Sequence, residues 1–273
     1  MLMATFIVSL MTMFSEEDFL SWGWRIPFLL SSVLVLLGLW IRKDIDETPE
    51  FKKVKSSGKV AKAPLRDTLK YHWREVLIAA GLKVVETAPF YIFSTFVVSY
   101  ATTTLSYQKS QALEAVTLGA LVATIMIPLM GLLSDKVGRQ RMYAVSVFTL
   151  GLFIVPWFML LNTGTTWGIV LATVIAFGVL WAPVTAVLGT LCSEIFTANV
   201  RYTGITLGYQ LGAALAGGTA PLIATGLLAK YNGDWVPVAW YLAVTVTISL
   251  IAIFFASRVK RAAPAINAQT NEL

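Results

Sequence analysis

The chain has 273 residues, of which 57% are hydrophobic and only 13% charged, with a formal net charge of +6. An average soluble domain carries about 25% charged residues, so this composition excludes an ordinary water-soluble fold and makes a bilayer the expected solvent. One cysteine and one histidine exclude a disulfide framework and a Cys/His metal cluster. No metal and no cofactor are expected, and Cys192 reads as a small packing residue.

In chain order, the first element is the apolar run "MLMATFIVSLMTMF", too short to span hydrocarbon comfortably. It lacks the basic start and small-residue cleavage site of a signal peptide, and reads as the end of a helix that begins outside the chain. An acidic turn follows at Ser15 to Asp18. Seven complete apolar spans come next: Trp24 to Ile41, Val76 to Tyr100, Leu113 to Ser134, Met142 to Leu161, Trp167 to Leu191, Thr203 to Ala229 and Val236 to Ser257. Each is near the ~20 residues that cross a bilayer as a helix. An open strand in lipid would leave backbone groups unpaired at several kcal/mol each. The expected fold class is therefore all-α integral membrane, with seven full transmembrane helices plus a truncated first one.

The basic residues have a topological address. Seventeen of the 21 Lys and Arg fall in alternate connections: ten in 42–74, three in the 134–142 loop, Arg201, and Arg258, Lys260 and Arg261 in the tail. The other connections hold Arg25, Lys109 and Lys230, and Lys83 alone lies within a span. This split is the positive-inside pattern, so the basic loops and C-terminus are expected to face the cytoplasm. No nucleic-acid footprint is implied. The 42–74 segment reads as a linker or interfacial amphipathic piece whose lysines lie near anionic headgroups. His72, at its end, reads as an interfacial ring beside Trp73.

The intramembrane polar residues are the candidates for function. "AAGLKVVETAPFYIFSTF" sets Lys83 and Glu86 three apart on one helical face, with Thr87, Tyr91 and Ser94 extending a polar stripe. A charge at the centre of a membrane helix costs about 2.5–3.5 kcal/mol, so such residues face a bundle interior or a wet cavity. Two readings stand. Either the two charges only neutralise each other, or Glu86 is a protonatable or substrate-facing carboxylate with Lys83 as its partner or an anion contact. Pro89 loosens the backbone just beyond. In "RYTGITLGYQLGAALAGG", Gly204, Gly208 and Gly212 form two overlapping GxxxG units for close helix packing, with Ala216 continuing the row. Tyr209 and Gln210 fall off that row, as candidates for a cavity wall or for an interhelical hydrogen bond.

Between two greasy spans stands "GLLSDKVGRQR", and after a later one "CSEIFTANVRYTG". Asp135, Gly138, Arg139 and Arg141 thus share a membrane face with Glu194 and Arg201. Opposite charges at neighbouring helix ends can act as an ionic lock in one conformation. Exposed pairs are worth only about 0–1 kcal/mol singly, so such a lock needs several charges together.

The chain resembles the C-terminal part of a major facilitator superfamily transporter, and within it the metabolite:proton symporters that carry shikimate, 2-oxoglutarate, citrate or proline and betaine. "GLLSDKVGRQRMY" is similar to the superfamily's G-x-x-x-D-x-x-G-R-[KR] loop. "FLSWGWRIPFLLSSVLVLLGLWIRKDIDETPEF" and "SEIFTANVRYTGITLGYQLG" point to the subgroup, the former to its shikimate-type branch. The resemblance implies a rocker-switch carrier of two six-helix halves that binds a small metabolite at the midplane between them. On that pattern 1–41 is the end of the N-terminal bundle, 42–75 the basic central cytoplasmic loop, 76–257 the C-terminal six-helix bundle and 258–273 a cytoplasmic tail. Helices one to four of the pattern, with the first copy of the charged loop, have no counterpart here and would be needed for a complete carrier. The implied function is proton-coupled symport of a small organic acid or zwitterion across the plasma membrane. The other function class is a non-transporting, membrane-inserted remnant. A membrane enzyme is not expected, since no metal-ligand spacing or nucleophile motif is present, and no catalytic residue is assigned.

Overall fold

A computed structural model describes residues 18, 21–43 and 64–259. The apolar run at 1–14, most of the basic 42–63 stretch and the tail beyond 259 lie outside these residues. The chain divides into two units, Met1–Lys53 and Val54–Leu273. In the first, a 3-10 turn at Gly23–Arg25 leads into α1, Ile26–Lys43.

The second unit begins with a short helix α2, Pro64–Tyr71. The described end of the basic segment is thus helical: Thr68 is fully buried, while Leu65 and Leu69 are exposed. Six membrane-length helices follow: α3 (Trp73–Thr103), α4 (Lys109–Val137), α5 (Arg139–Leu161), α6 (Thr166–Ile195), α7 (Arg201–Lys230) and α8 (Val236–Ala256). With Gly23–Ile41, seven helices among the described residues are long and apolar enough to cross a membrane, and no strand occurs among them. The expected all-α class and its seven full spans hold, with ends shifted by a few residues because helical hydrogen bonding runs on into the polar flanks.

α3 lies centrally, packed on α7 and α8, while α4 packs on α6, and α5 on both α6 and α8. Without a hydrophobic driving force between helices in lipid, close approach depends on small residues. A Cβ added at Gly81 would meet Ala252 on α8 at 2.8 Å, and one added at Gly151 would meet Val246 at 2.9 Å. The GxxxG row behaves as expected at two of its three positions. A Cβ at Gly208 would lie 2.6 Å from the Ala79 side chain, and one at Gly212 2.5 Å from the Ala80 carbonyl and 2.7 Å from the Lys83 Cβ, both on α3. Gly204 instead meets the ring of Phe196, in the connection leading to its own helix.

Beyond Gly212 the row shifts register. Ala213–Gly217 is a π-turn, which adds a residue to the helical period. A further close approach to α3 falls on Gly217, against Thr87 and Tyr91, and Ala216 beside it is buried. Similar π-turns interrupt α3 at Ile92–Phe96, just after Pro89, and α6 at Val174–Leu180.

Gly208→Val should force α3 and α7 apart, lowering stability by about 1–3 kcal/mol and the melting temperature by several degrees. Gly226→Ala, where an added Cβ meets nothing within 4 Å, should leave it unchanged. Thermal unfolding of the purified chain in detergent, followed by tryptophan fluorescence, checks both.

Candidate functional site

The turn of α3 carrying Lys83 and Glu86 is the most elaborately held part of the bundle. The two side chains form an ion pair and are only 17% and 14% exposed. The Thr87 hydroxyl lies 3.0 Å from both Glu86 Oε2 and the Lys83 carbonyl. Thr185 of α6 donates to Glu86 Oε1 at 3.3 Å. The Lys83 ammonium stands 4.9 Å from the centre of the Tyr209 ring, on α7. Residues from three helices thus meet at one carboxylate–ammonium pair.

The backbone of the same turn is gripped by its neighbours. Ser249 of α8 donates to the Gly81 carbonyl at 2.6 Å and accepts the Val85 N–H at 3.1 Å, entering that rung of the helix ladder. Tyr143 of α5 donates to the Leu82 carbonyl at 2.5 Å, and Trp181 Nε1 of α6 to the Glu86 carbonyl at 2.7 Å. Pro89 lacks an N–H and leaves the Val85 carbonyl without its helical donor. Beside this loosened stretch, Phe90, Phe177 and Trp181 pack ring against ring with centroids 5.1–5.7 Å apart.

The other predicted pathway residues separate. Tyr91 lies one turn on, 36% exposed, edge-on to Phe90 and beside Gly217. The Tyr209 hydroxyl is buried and approaches α6 near Gly189 and the Cys192 thiol. Ser94 turns back to the Phe90 carbonyl of its own helix. Gln210 is exposed and does not join the pair. Thr185, Trp181, Tyr143 and Ser249 are the members that periodicity missed, since each is a common residue in an apolar helix with nothing local to mark it.

The second cluster lies at the end of the bundle that bears the basic loops. Arg139, opening α5, reaches Asp135 at the end of α4 at 3.1 Å and Glu194 near the end of α6 at 2.5 Å. Gly138 makes the reversal between α4 and α5 with φ +96°, a conformation that side chains resist. Arg201 Nε donates to the Phe196 carbonyl at 3.4 Å. Arg141 is exposed and stands outside the Arg139 pairs. Three helix ends are thereby tied through one guanidinium.

This charged loop and the seven spans agree with the family comparison, in which residues 2–217 match the Major Facilitator Superfamily. The chain belongs to the major facilitator superfamily. Among its relatives within the superfamily is the shikimate transporter of Escherichia coli (strain K12), 32% identical over 265 residues, or 96% of this chain and 60% of that protein. The inner membrane metabolite transport protein YhjE of the same strain is 30% identical over 88% of this chain and 55% of its own length. A proline/betaine transporter of Salmonella typhimurium (strain LT2) is 28% identical, with 90% and 50% covered. This superfamily member therefore spans between half and three-fifths of the length of these relatives. No solved structure matches the chain.

Breaking a buried ion pair by removing one partner strands a charge and costs about 3–5 kcal/mol, whereas removing both costs far less. Lys83→Met should therefore destabilise the bundle strongly, and Lys83→Met with Glu86→Gln should recover most of the loss. Thermal unfolding of the single and double variants in detergent checks this, and equal destabilisation of the two would show that the charges are not coupled.

Proposed function

We propose that the chain is part of a secondary active transporter of the plasma membrane, the inner membrane in a bacterium. It takes up a small organic acid or zwitterion together with a proton. The observation that carries the proposal is the Lys83–Glu86 pair, nearly buried within a membrane-spanning bundle yet joined by Thr87, Thr185 and the Tyr209 ring. A structural pair needs only mutual neutralisation; this one is surrounded by groups that can orient a carboxylate or an ammonium. The relatives named above, transporters of shikimate, of a metabolite and of proline and betaine, support the same substrate classes here.

In the proposed mechanism the bundle tolerates little net charge, because desolvating an ion in hydrocarbon is expensive. An incoming carboxylate can take Lys83 from Glu86 only if Glu86 gains a proton, so anion and proton enter together. Tyr209 holds the ammonium in place by its ring face, and Thr185 accepts reorientation as the Glu86 carboxylate becomes a carboxyl. Tyr91 and Gln210 are assigned to the pathway only as wall positions beyond this core.

The Asp135–Arg139–Glu194 cluster is proposed as the cytoplasmic gate, with Gly138 as its pivot and Arg141 and Arg201 as flanking charges. We assign 76–257 to the C-terminal six-helix bundle of the carrier and 1–41 to the end of the N-terminal bundle. The basic 42–75 stretch is assigned to the cytoplasmic centre of the carrier and 258–273 to a cytoplasmic tail. The distribution of Lys and Arg supports that orientation.

Uptake of labelled shikimate, proline and glycine betaine into proteoliposomes, with and without an inward proton gradient, tests the proposal. Glu86→Gln should abolish gradient-driven accumulation while leaving substrate exchange. Accumulation by Glu86→Gln equal to that of the parent chain between pH 5 and 8 would remove Glu86 from coupling. Arg139→Ala, which leaves Glu194 and Asp135 without their shared guanidinium, should slow uptake and exchange together, and unchanged rates would remove the cluster from gating.

A further inference from the structure

Far from both charged clusters, at the end of the bundle opposite the basic loops, α5 and α8 leave an apolar groove of about 360 Å³. Its floor is closed by the tight Gly151–Val246 contact, and Ala239 and Ala243 keep it open along α8. Its walls are Val155, Trp235 and Trp240. Trp235 is fixed in place by stacking on Phe158, with centroids 4.9 Å apart and planes at 18°, while Trp240 is 70% exposed. The groove follows α8 from Val236 to Ala243, about 10 Å at the rise of a helix, which fits within one leaflet of a ~30 Å hydrocarbon core. Tryptophan at such a helix end marks the level of the headgroups.

The mouth of the groove carries a charge. Asp234 is exposed, and its Oδ1 accepts the N–H of Val236, a residue of the groove wall, at 2.9 Å. The carboxylate makes no ion pair among the described residues. A lipid whose tail lies in the groove must therefore place its headgroup beside an anion.

We infer that this groove binds one acyl chain of phosphatidylethanolamine, with the lipid's primary ammonium paired to Asp234. The tail chemistry follows from a lining of aliphatic side chains and two indole rings, at a depth where hydrocarbon is the solvent. The headgroup follows from charge. Phosphatidylglycerol would bring a net negative charge, with no cation of its own, to a carboxylate, and a choline headgroup has no N–H to donate to it. A second copy of the chain, covering Trp240 with its own apolar face, is the competing occupant. It would leave the Asp234 carboxylate without a cation, which the lipid supplies.

The test is native mass spectrometry of the full chain in detergent, titrated with equimolar dioleoyl phosphatidylethanolamine and dioleoyl phosphatidylglycerol. An exposed ion pair of this kind corresponds to a preference of about two- to fivefold, so one phosphatidylethanolamine should be retained over phosphatidylglycerol by that factor. Asp234→Asn keeps an acceptor for the Val236 N–H and should erase the preference without lowering total lipid retention. Trp240→Ala should lower retention of both lipids. Equal retention of the two lipids by the parent chain, a preference that survives Asp234→Asn, or retention untouched by Trp240→Ala would overturn the inference. So would efficient disulfide crosslinking of Trp240→Cys copies in vesicles, which would place a second chain over the groove.

Discussion

A lysine and a glutamate inside a membrane-spanning helix are a constraint that the rest of the bundle must satisfy. Each alone would cost a few kcal/mol at the centre of a helix in lipid, and even paired they require their remaining hydrogen-bonding capacity to be met. Around Lys83 and Glu86 the demand is answered by Thr87 on the same helix, Thr185 on α6 and the Tyr209 ring on α7. The supporting backbone is answered by Ser249 on α8, Tyr143 on α5 and Trp181, again on α6. α3 occupies the centre of its unit because every one of these partners must reach it.

The same constraint bears on the small residues. Partners on α7 and α8 reach the α3 turn because the helices cross closely, and the crossings fall at Gly81, Gly208 and Gly212. π-turns in α3, α6 and α7 lie beside this region. Such turns free backbone groups and shift the helical register, and they are common where a helix must serve a site as well as a core. A bundle built only to be stable would place leucine and alanine where the pair stands.

Much of the architecture was legible because hydrocarbon allows so few solutions. Long apolar runs had to be helices, and Lys83 and Glu86 stood out as charges within one of them. Asp135 and Arg139 were visible from their spacing in a short loop, and Glu194 from its place at the matching end of another span. What stayed hidden depended on contacts across the chain. Thr185 is 99 residues from Glu86 and Ser249 is 168 from Gly81, and neither residue type is unusual in a membrane helix. A fixed spacing of four carries the glycine row on to Ala216. The contact at Gly217, against Thr87 and Tyr91, falls within the π-turn at Ala213–Gly217 and is not one that a fixed period picks out. Gln210 was grouped with Tyr209 as a neighbour in sequence, yet adjacent helical residues point about 100° apart and only Tyr209 faces Lys83. The eight-residue helix at Pro64–Tyr71 was obscured by the lysines around it.

Under the proposed mechanism, Glu86 gains a proton when Lys83 passes to a substrate carboxylate. Infrared difference spectroscopy of the membrane-reconstituted chain on adding substrate addresses that exchange directly. A protonated-carboxyl band should appear as substrate binds, shift in deuterated buffer and vanish in Glu86→Gln. A band that persists in Glu86→Gln, or substrate binding with no new carboxyl band, would rule out proton uptake by Glu86.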